Sequence, residues 1–210
     1  MPVQKIDSLQ KEAKVRLEGI GKKYAGRWIF RNINAVFGPG SRVAVTGPNG
    51  SGKSTLLQII SGFVSPAEGN VIYKGKTFSM GDQIDCAIAA PYLDLPEELT
   101  LKELLEFYFS FRKERIPVMD CITQCRLGNF MNQQLKGFSS GMKQKVKLSL
   151  VFSSDTGIYI FDEPCSHIDE ESVGWYHENF SMLPSRSVVF VGSNSVKSEI
   201  QQCNQIITLG

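Results

Sequence analysis

Residues Gly47-Pro48-Asn49-Gly50-Ser51-Gly52-Lys53-Ser54-Thr55 constrain this chain more than any other stretch. They satisfy the pattern Gly-x4-Gly-Lys-Ser/Thr in full. They follow a short β-branched run, Arg42 to Thr46, and lead into Lys53 to Ile60, whose spacing predicts a helix. A strand, a glycine loop and a helix in that order form a phosphate cradle. The glycines let the backbone curl so that successive N–H groups converge, and the helix turns its positive end to the same anion. Lys53 adds a point charge for the β- and γ-phosphates, and Ser54 offers a hard hydroxyl oxygen to Mg²⁺, which takes few protein ligands and keeps several waters. The expected ligands are ATP and Mg²⁺.

A second apolar run, Gly157-Ile158-Tyr159-Ile160-Phe161, ends in Asp162-Glu163-Pro164. Such a strand is buried and delivers both carboxylates at its carboxyl end, the edge where open α/β sheets bind ligands. In phosphoryl transfer one acid holds Mg²⁺ and a second group positions the attacking water; Asp162 and Glu163 fit those roles. Further strands are predicted at Lys14 to Ile20, Phe30 to Phe37, Asn70 to Lys74, Ser187 to Val191 and Gln205 to Leu209. Helices are predicted at Glu170 to Met182 and Val196 to Gln202. From Thr100 to about Val151 the period is helical, with Leu101, Leu104, Leu105, Tyr108 and Phe109 at three- and four-residue steps. The inward-facing members of Phe107, Tyr108, Phe109 and Phe111 are read as core. The fold class is therefore α/β with a mostly parallel sheet, in one domain over residues 1–210.

Composition excludes more than it selects. The chain carries 23 basic and 21 acidic residues for a formal charge of +2, which gives no general pull toward nucleic acid or anionic lipid. Lys143, Lys145 and Lys147 are read as a solvated helix face and not a nucleic-acid patch. No apolar run approaches the 18 or so residues of a membrane span, and Met1 to Lys14 lacks the apolar centre of a signal peptide, so a cytoplasmic chain is expected. The five cysteines, Cys86, Cys121, Cys125, Cys165 and Cys203, are scattered and odd in number, as reduced thiols would be. Cys121 and Cys125 could share a helix face, but two ligands make a poor metal site.

Taken together, these motifs make nearly the whole chain resemble the ATP-binding subunit of an ABC transporter. Phe138-Ser139-Ser140-Gly141-Met142, opening a helix from Lys143 to Leu150, resembles that family's signature sequence, and Cys165-Ser166-His167-Ile168-Asp169 resembles the D-loop after the two acids. The resemblance implies a P-loop NTPase fold with an N-terminal antiparallel β subdomain and an inserted helical subdomain at roughly 92–150. It implies that Tyr24, or its rival Trp28, stacks on adenine. It also implies a head-to-tail pair of cassettes in which Ser139, Gly141 and Asp169 of one chain complete the nucleotide site of the other. A helix opening near Gly141 suits a γ-phosphate on physical grounds, through its N–H groups and dipole. A second ATPase subunit, like or related, and a separate transmembrane permease are the implied partners, with the chain peripheral on the cytoplasmic face of the membrane.

Two places depart from the family. Its glutamine before the helical block is replaced within Ala89-Ala90-Pro91-Tyr92, where neither Pro91 nor Tyr92 offers an amide. Its switch histidine is replaced by Asn194, which donates a hydrogen bond but cannot become a cation or an acid. Slow hydrolysis that still depends on Glu163 is the expectation, and a soluble regulatory or assembly ATPase without transport is the alternative to a transport subunit. A short subunit of the cytochrome c maturation type is a third reading. The end at Gly210 leads us to expect no appended regulatory domain.

Overall fold

The computed structural model describes residues 14–78, 84–194 and 196–210. Most of Met1 to Lys14 lies outside the described residues.

Two sheets share the chain. The first is antiparallel, in the order β2-β1-β4-β5, from β1 (Val15–Tyr24), β2 (Arg27–Phe37), β4 (Glu68–Tyr73) and β5 (Lys76–Thr77). Ala25 and Gly26 both take positive φ, 46° and 79°, which is the two-residue turn whose twist matches a hairpin. β1 and β2 therefore run three or four residues beyond the lengths predicted from hydrophobic alternation, because the shared register slips at several bulges and blurs that alternation.

The second sheet is wholly parallel, in the order β6-β7-β8-β3-β9, from β3 (Arg42–Thr46), β6 (Cys86–Ala89), β7 (Ile158–Asp162), β8 (Val188–Ser193) and β9 (Gln205–Thr208). Strand side chains alternate between faces, so each strand feeds two cores. Tyr159, Phe161, Val189 and Val191 pack with the helical side of the molecule. Ile158, Ile160, Val188 and Phe190 pack with the antiparallel sheet and with α1 (Lys53–Ile60). This is why β7 and β8 are apolar at nearly every position.

Between β6 and β7 lies the helical block. It holds α2 (Leu101–Ser110), α3 (Val118–Gln124) and α4 (Ser140–Phe152), with single turns at Gly128–Phe130 and Leu135–Gly137. Thr100 and Glu103 close a reciprocal capping box at the start of α2. Leu101, Leu104 and Leu105 are buried as their spacing predicts, but Phe107 and Phe111 stand outside, 56% and 77% exposed, as an edge-to-face pair. α5 (Glu170–Ser181) follows β7, and its Trp175 Nε1 donates to the Gln124 carbonyl at 2.6 Å, fastening the helical block to the sheet. The last predicted helix is short, α6 (Lys197–Ile200). Among the described residues no helix is long and apolar enough to cross a membrane. The five cysteines are free thiols.

Candidate active site

β3 ends at Thr46, and the chain turns through the glycine loop into α1. Gly47, Gly50 and Gly52 take φ of 149°, 81° and 97°, values that side-chain-bearing residues rarely adopt. A Cβ on Gly47 would lie 2.3 Å from the Leu209 carbonyl oxygen, and one on Gly52 would lie 2.5 Å from Ile29 of β2. Nothing stands within 4 Å of the space a Cβ on Gly50 would fill. The loop is thus wedged at two points and open at the third. Lys53 is buried, and its Nζ donates to the carbonyls of Gly47 and Pro48, both at 3.0 Å, so the ammonium is folded into the cradle. Pro48, Asn49, Ser51, Ser54 and Thr55 complete the loop and the first turn of α1, and the buried Ser51 hydroxyl has no hydrogen-bond partner.

Asp162 follows Ile160 on the same face of β7 and so points to the α1 side of the sheet. It has no exposed surface, and among the described residues neither carboxylate oxygen has a hydrogen-bond partner. Burial pushes its pKa up and the Glu163 charge adds to this; the nearby Ser54 hydroxyl and Lys53 ammonium offset it in part. Space for that carboxylate comes from Gly192, its register partner on β8, where a Cβ would lie 2.5 Å from Asp162 Oδ1. A buried, unpartnered carboxylate beside a serine hydroxyl at a phosphate cradle is a donor set of hard oxygens, and it fits Mg²⁺.

Glu163 leaves the strand with φ 48°, a left-handed value that costs a non-glycine residue about 1–3 kcal/mol and is held by the bond from its own N–H to the Gly192 carbonyl, 2.9 Å. Asn194 Nδ2 donates to Glu163 Oε1 at 3.1 Å, and Ser166 Oγ lies 3.5 Å from Oε2. The P-loop, Asp162, Glu163 and Asn194 therefore gather at the carboxyl edge of neighbouring strands. Of the two residues Pro91 and Tyr92, Tyr92 brings its phenol near Gln58 and Asp162; burial first, then the Asp162 charge, pushes it up to about 12. Lys147 Nζ lies 3.4 Å from the Ala90 and Pro91 carbonyls. Lys143 pairs with Glu97, and Lys145 lies 5.3 Å above the Trp175 ring, so all three lysines of α4 are engaged within the chain.

Ser139, Gly141 and Asp169 form a separate group. Ser139 caps α4, its Oγ accepting from Met142 N at 3.2 Å, which leaves its hydroxyl hydrogen free to donate. Gly141 abuts the loop after β7, since a Cβ there would lie 2.9 Å from the His167 carbonyl oxygen. Asp169 caps α5 by accepting from Ser172 N at 2.8 Å, and the Ser172 hydroxyl first, with that backbone bond, holds its carboxyl below the usual range. Among the described residues no hydrogen bond joins Ser139, Gly141 or Asp169 to residues 47–55. Tyr24 ends β1 as a half-exposed ring with Lys22 Nζ 5.0 Å from its centre; Trp28 lies under the Arg31 guanidinium at 4.5 Å.

One buried acid was missed by sequence reasoning. Glu199 is 4% exposed, its Oε1 accepts from Cys165 N at 3.1 Å, and its Oε2 accepts from Ser193 Oγ. Burial first, with Glu163 and Asp162 adding, pushes its carboxyl up. A lone glutamate among polar neighbours carries no pattern that marks it as buried.

The sequence model of the ABC transporter family matches residues 30–166. The chain is 27% identical over 197 residues to the lantibiotic transport ATP-binding protein SrtF of Streptococcus pyogenes, covering 92% of this chain and 85% of that one. It is 26% identical over 178 residues to the cytochrome c biogenesis ATP-binding export protein CcmA of Rickettsia felis, covering 85% and 91%. Among solved structures, the ATP-binding cassette MJ0796 in a dimeric post-hydrolysis state with ADP and Pi superposes with a TM-score of 0.81 at 22% identity, covering 93% and 94%.

Proposed function

This chain belongs to the ABC transporter family, as an ATP-binding cassette and an ATPase, and from that premise we propose that two cassettes close head to tail around ATP to drive a separate membrane permease. The observation that carries the reading is the division of the site. Residues 47–55 with Asp162, Glu163 and Asn194 form one half; Ser139 and Gly141 form another that, among the described residues, no hydrogen bond joins to it. A second copy, or a related chain, brings the missing half.

In this reading the loop N–H groups and Lys53 hold the phosphates, and Tyr24 stacks on adenine, since Trp28 carries both Arg31 and Lys23 against its ring and Tyr24 carries Lys22 alone. Ser54 and Asp162 hold the magnesium ion, which when bound draws charge from the phosphate oxygens. Glu163 takes a proton from the attacking water, and Asn194, by donating to Glu163 Oε1, keeps that oxygen an acceptor and fixes its direction. Asn194 cannot transfer a proton, which supports slow hydrolysis. Around the exposed Phe63, Phe107 and Phe111 lie two neighbouring depressions. One of about 610 Å³ is lined by Phe63, Ile88 and Phe111, and one of about 250 Å³ by Leu93, Leu95, Leu104 and Phe107. The larger depression is also lined by Asp85, Arg112, Lys113 and Asp155, so its lining is mixed, while the smaller is mainly apolar; exposed aromatics beside them support docking of a permease there, on the cytoplasmic face of the membrane.

ATP turnover measured at several protein concentrations, beside Glu163→Gln, tests the reading. Rate per subunit rises with concentration, and the variant binds ATP without turning it over. A concentration-independent rate, or a variant as fast as the native chain, refutes it. Recovery of a membrane protein with this chain from detergent extracts tests the permease.

A further inference from the structure

We propose that Glu199 is a positioning residue for hydrolysis: its buried carboxylate ties the loop that carries Glu163 to the strand end that carries Asn194, and so holds the Asn194 amide on Glu163. The hydrogen bonds close a ring. From Glu163 the chain runs two residues to Cys165, whose N–H donates to Glu199 Oε1 at 3.1 Å. Glu199 Oε2 accepts from Ser193 Oγ, and the next residue, Asn194, returns to Glu163 at 3.1 Å. Ser193 Oγ also accepts from Val196 N at 3.0 Å, so one side chain ties the end of β8 to the residue before α6.

Ser193 has no exposed surface and Glu199 only 4%, and taking a carboxylate out of water costs several kcal/mol unless strong hydrogen bonds offset it. Asp162 and Glu163 lie close enough to raise that cost. Both oxygens are used, each on a different one of the two loops that must stay in register. The two loops meet elsewhere through the Asn194 amide itself and the bond from Glu163 N to the Gly192 carbonyl, 2.9 Å. The latter fixes the backbone of Glu163 but not the direction in which Asn194 points.

The inference rests on Glu163 acting on the attacking water, and the experiment separates the two. Steady-state turnover against ATP concentration is measured for Glu199→Ala, Glu199→Gln, Glu199→Asp, Ser193→Ala, Asn194→Ala, Glu163→Gln and the double variant Glu199→Ala/Asn194→Ala. A displacement of about 1 Å costs about 10²-fold in rate. Glu199→Ala therefore lowers kcat by about 10- to 10²-fold with KM for ATP unchanged. Glu199→Gln, which keeps an acceptor for Cys165 N and reaches Ser193, restores most of the rate; Glu199→Asp, one methylene short, does not. The double variant loses no more than the worse of its two parents, because both act through one contact. An unchanged kcat in Glu199→Ala, a loss confined to KM, or losses that multiply in the double variant overturns the inference. Should Glu199→Ala fail to fold, Ser193→Ala and Glu199→Gln carry the same comparison. Undiminished turnover in Glu163→Gln overturns the assignment of Glu163 instead, whereas a dead Glu163→Gln beside an unaffected Glu199→Ala overturns only the role of Glu199.

Discussion

Replacing Asp162 by Asn separates the metal from the fold, with opposite signs in the two measurements. Asp162 is fully buried with both oxygens unpartnered, and burial raises its pKa. An acid whose folded pKa lies above its unfolded value leaves the folded state holding more protons between the two values. Stability therefore falls as pH rises from the unfolded value of 3.8 through the raised folded one. At pH 8 without ligand the native protein carries the cost of that charge, less what the nearby Ser54 hydroxyl and Lys53 ammonium offset. An unsatisfied buried neutral group costs about 1–3 kcal/mol and a charged one more, so exchanging charge for amide recovers about 1–2 kcal/mol. For a domain of this size each kcal/mol moves Tm by about 2–4 °C, so Asp162→Asn raises Tm by about 2–8 °C in EDTA at pH 8. The gain shrinks as the pH is lowered into the acid range.

On the proposed assignment the same substitution removes a magnesium ligand. A ligand at 100 times its Kd adds about 2.7 kcal/mol to the folded state. The informative quantity is the further rise in Tm when Mg²⁺ replaces EDTA in the presence of ATP. The native chain shows such a rise and Asp162→Asn loses most of it, while both keep the rise from ATP alone through the loop N–H groups and Lys53. A variant that melts below the native chain in EDTA would refute the reasoning about the unpaired charge. One that keeps the full magnesium increment would refute the assignment of the metal.

Asn194→His supplies the missing acid and cation and raises turnover, within the roughly 10²–10⁴-fold that such groups contribute; steady-state rates unchanged from the native chain would show that hydrolysis is not limited there. Gly192→Ala places a methyl 2.5 Å from Asp162 Oδ1 and 2.8 Å from Leu57 Cδ1, an overpacking of about 1–3 kcal/mol that lowers Tm by about 2–12 °C and weakens the magnesium increment together with it. Trp175→Phe leaves the Gln124 carbonyl without its donor, at a cost of about 1–3 kcal/mol, and lowers Tm by about 2–12 °C while the affinity of the P-loop for ATP, followed by a fluorescent analogue, stays unchanged.

What the sequence disclosed and what it withheld divide along a physical line. The P-loop was legible because its pattern encodes local backbone geometry, and the observed helix begins and ends at Lys53 and Ile60 as its spacing predicts. Asp162 was legible because an apolar strand ending in acids states both burial and placement. The partners of those residues were not, because they come from strands distant in the chain. Gly192 reads as an ordinary strand glycine until β8 is laid beside β7, where it turns out to be the space that Asp162 occupies. Asn194 could be read as a replacement for histidine, but its bond to Glu163, and the bond from Ser193 to Glu199 beside it, join segments that the sequence pattern does not place together. The exposure of Phe107 and Phe111 was hidden as well. Helical periodicity gives a stripe, and only the packed neighbours decide how wide a stripe is covered.

The two half-sites of one chain are not independent pieces. The start of α4, which on the dimer reading meets the phosphate held by the partner, is joined to the segment after Glu163 at two points. Gly141 lies against the His167 carbonyl, and Gln144 Nε2 donates to the Pro164 carbonyl at 3.1 Å, with Gln144 itself buried. That segment also carries Cys165, which the Glu199 carboxylate holds, and ends at Asp169, which caps α5. On the dimer reading, a phosphate at Ser139 and Gly141 would therefore sit one contact away from the segment that follows this chain's own Glu163. Coupling of that kind needs a rigid connection with two defined arrangements rather than a flexible one. Left-handed backbone at both Glu163 and His167, φ 48° and 64°, marks the segment as one whose shape its surroundings impose. On this argument the geometry at Glu163 answers to what the partner has bound, which is the order of events a pair of cassettes requires if neither is to hydrolyse ATP before the pair has closed.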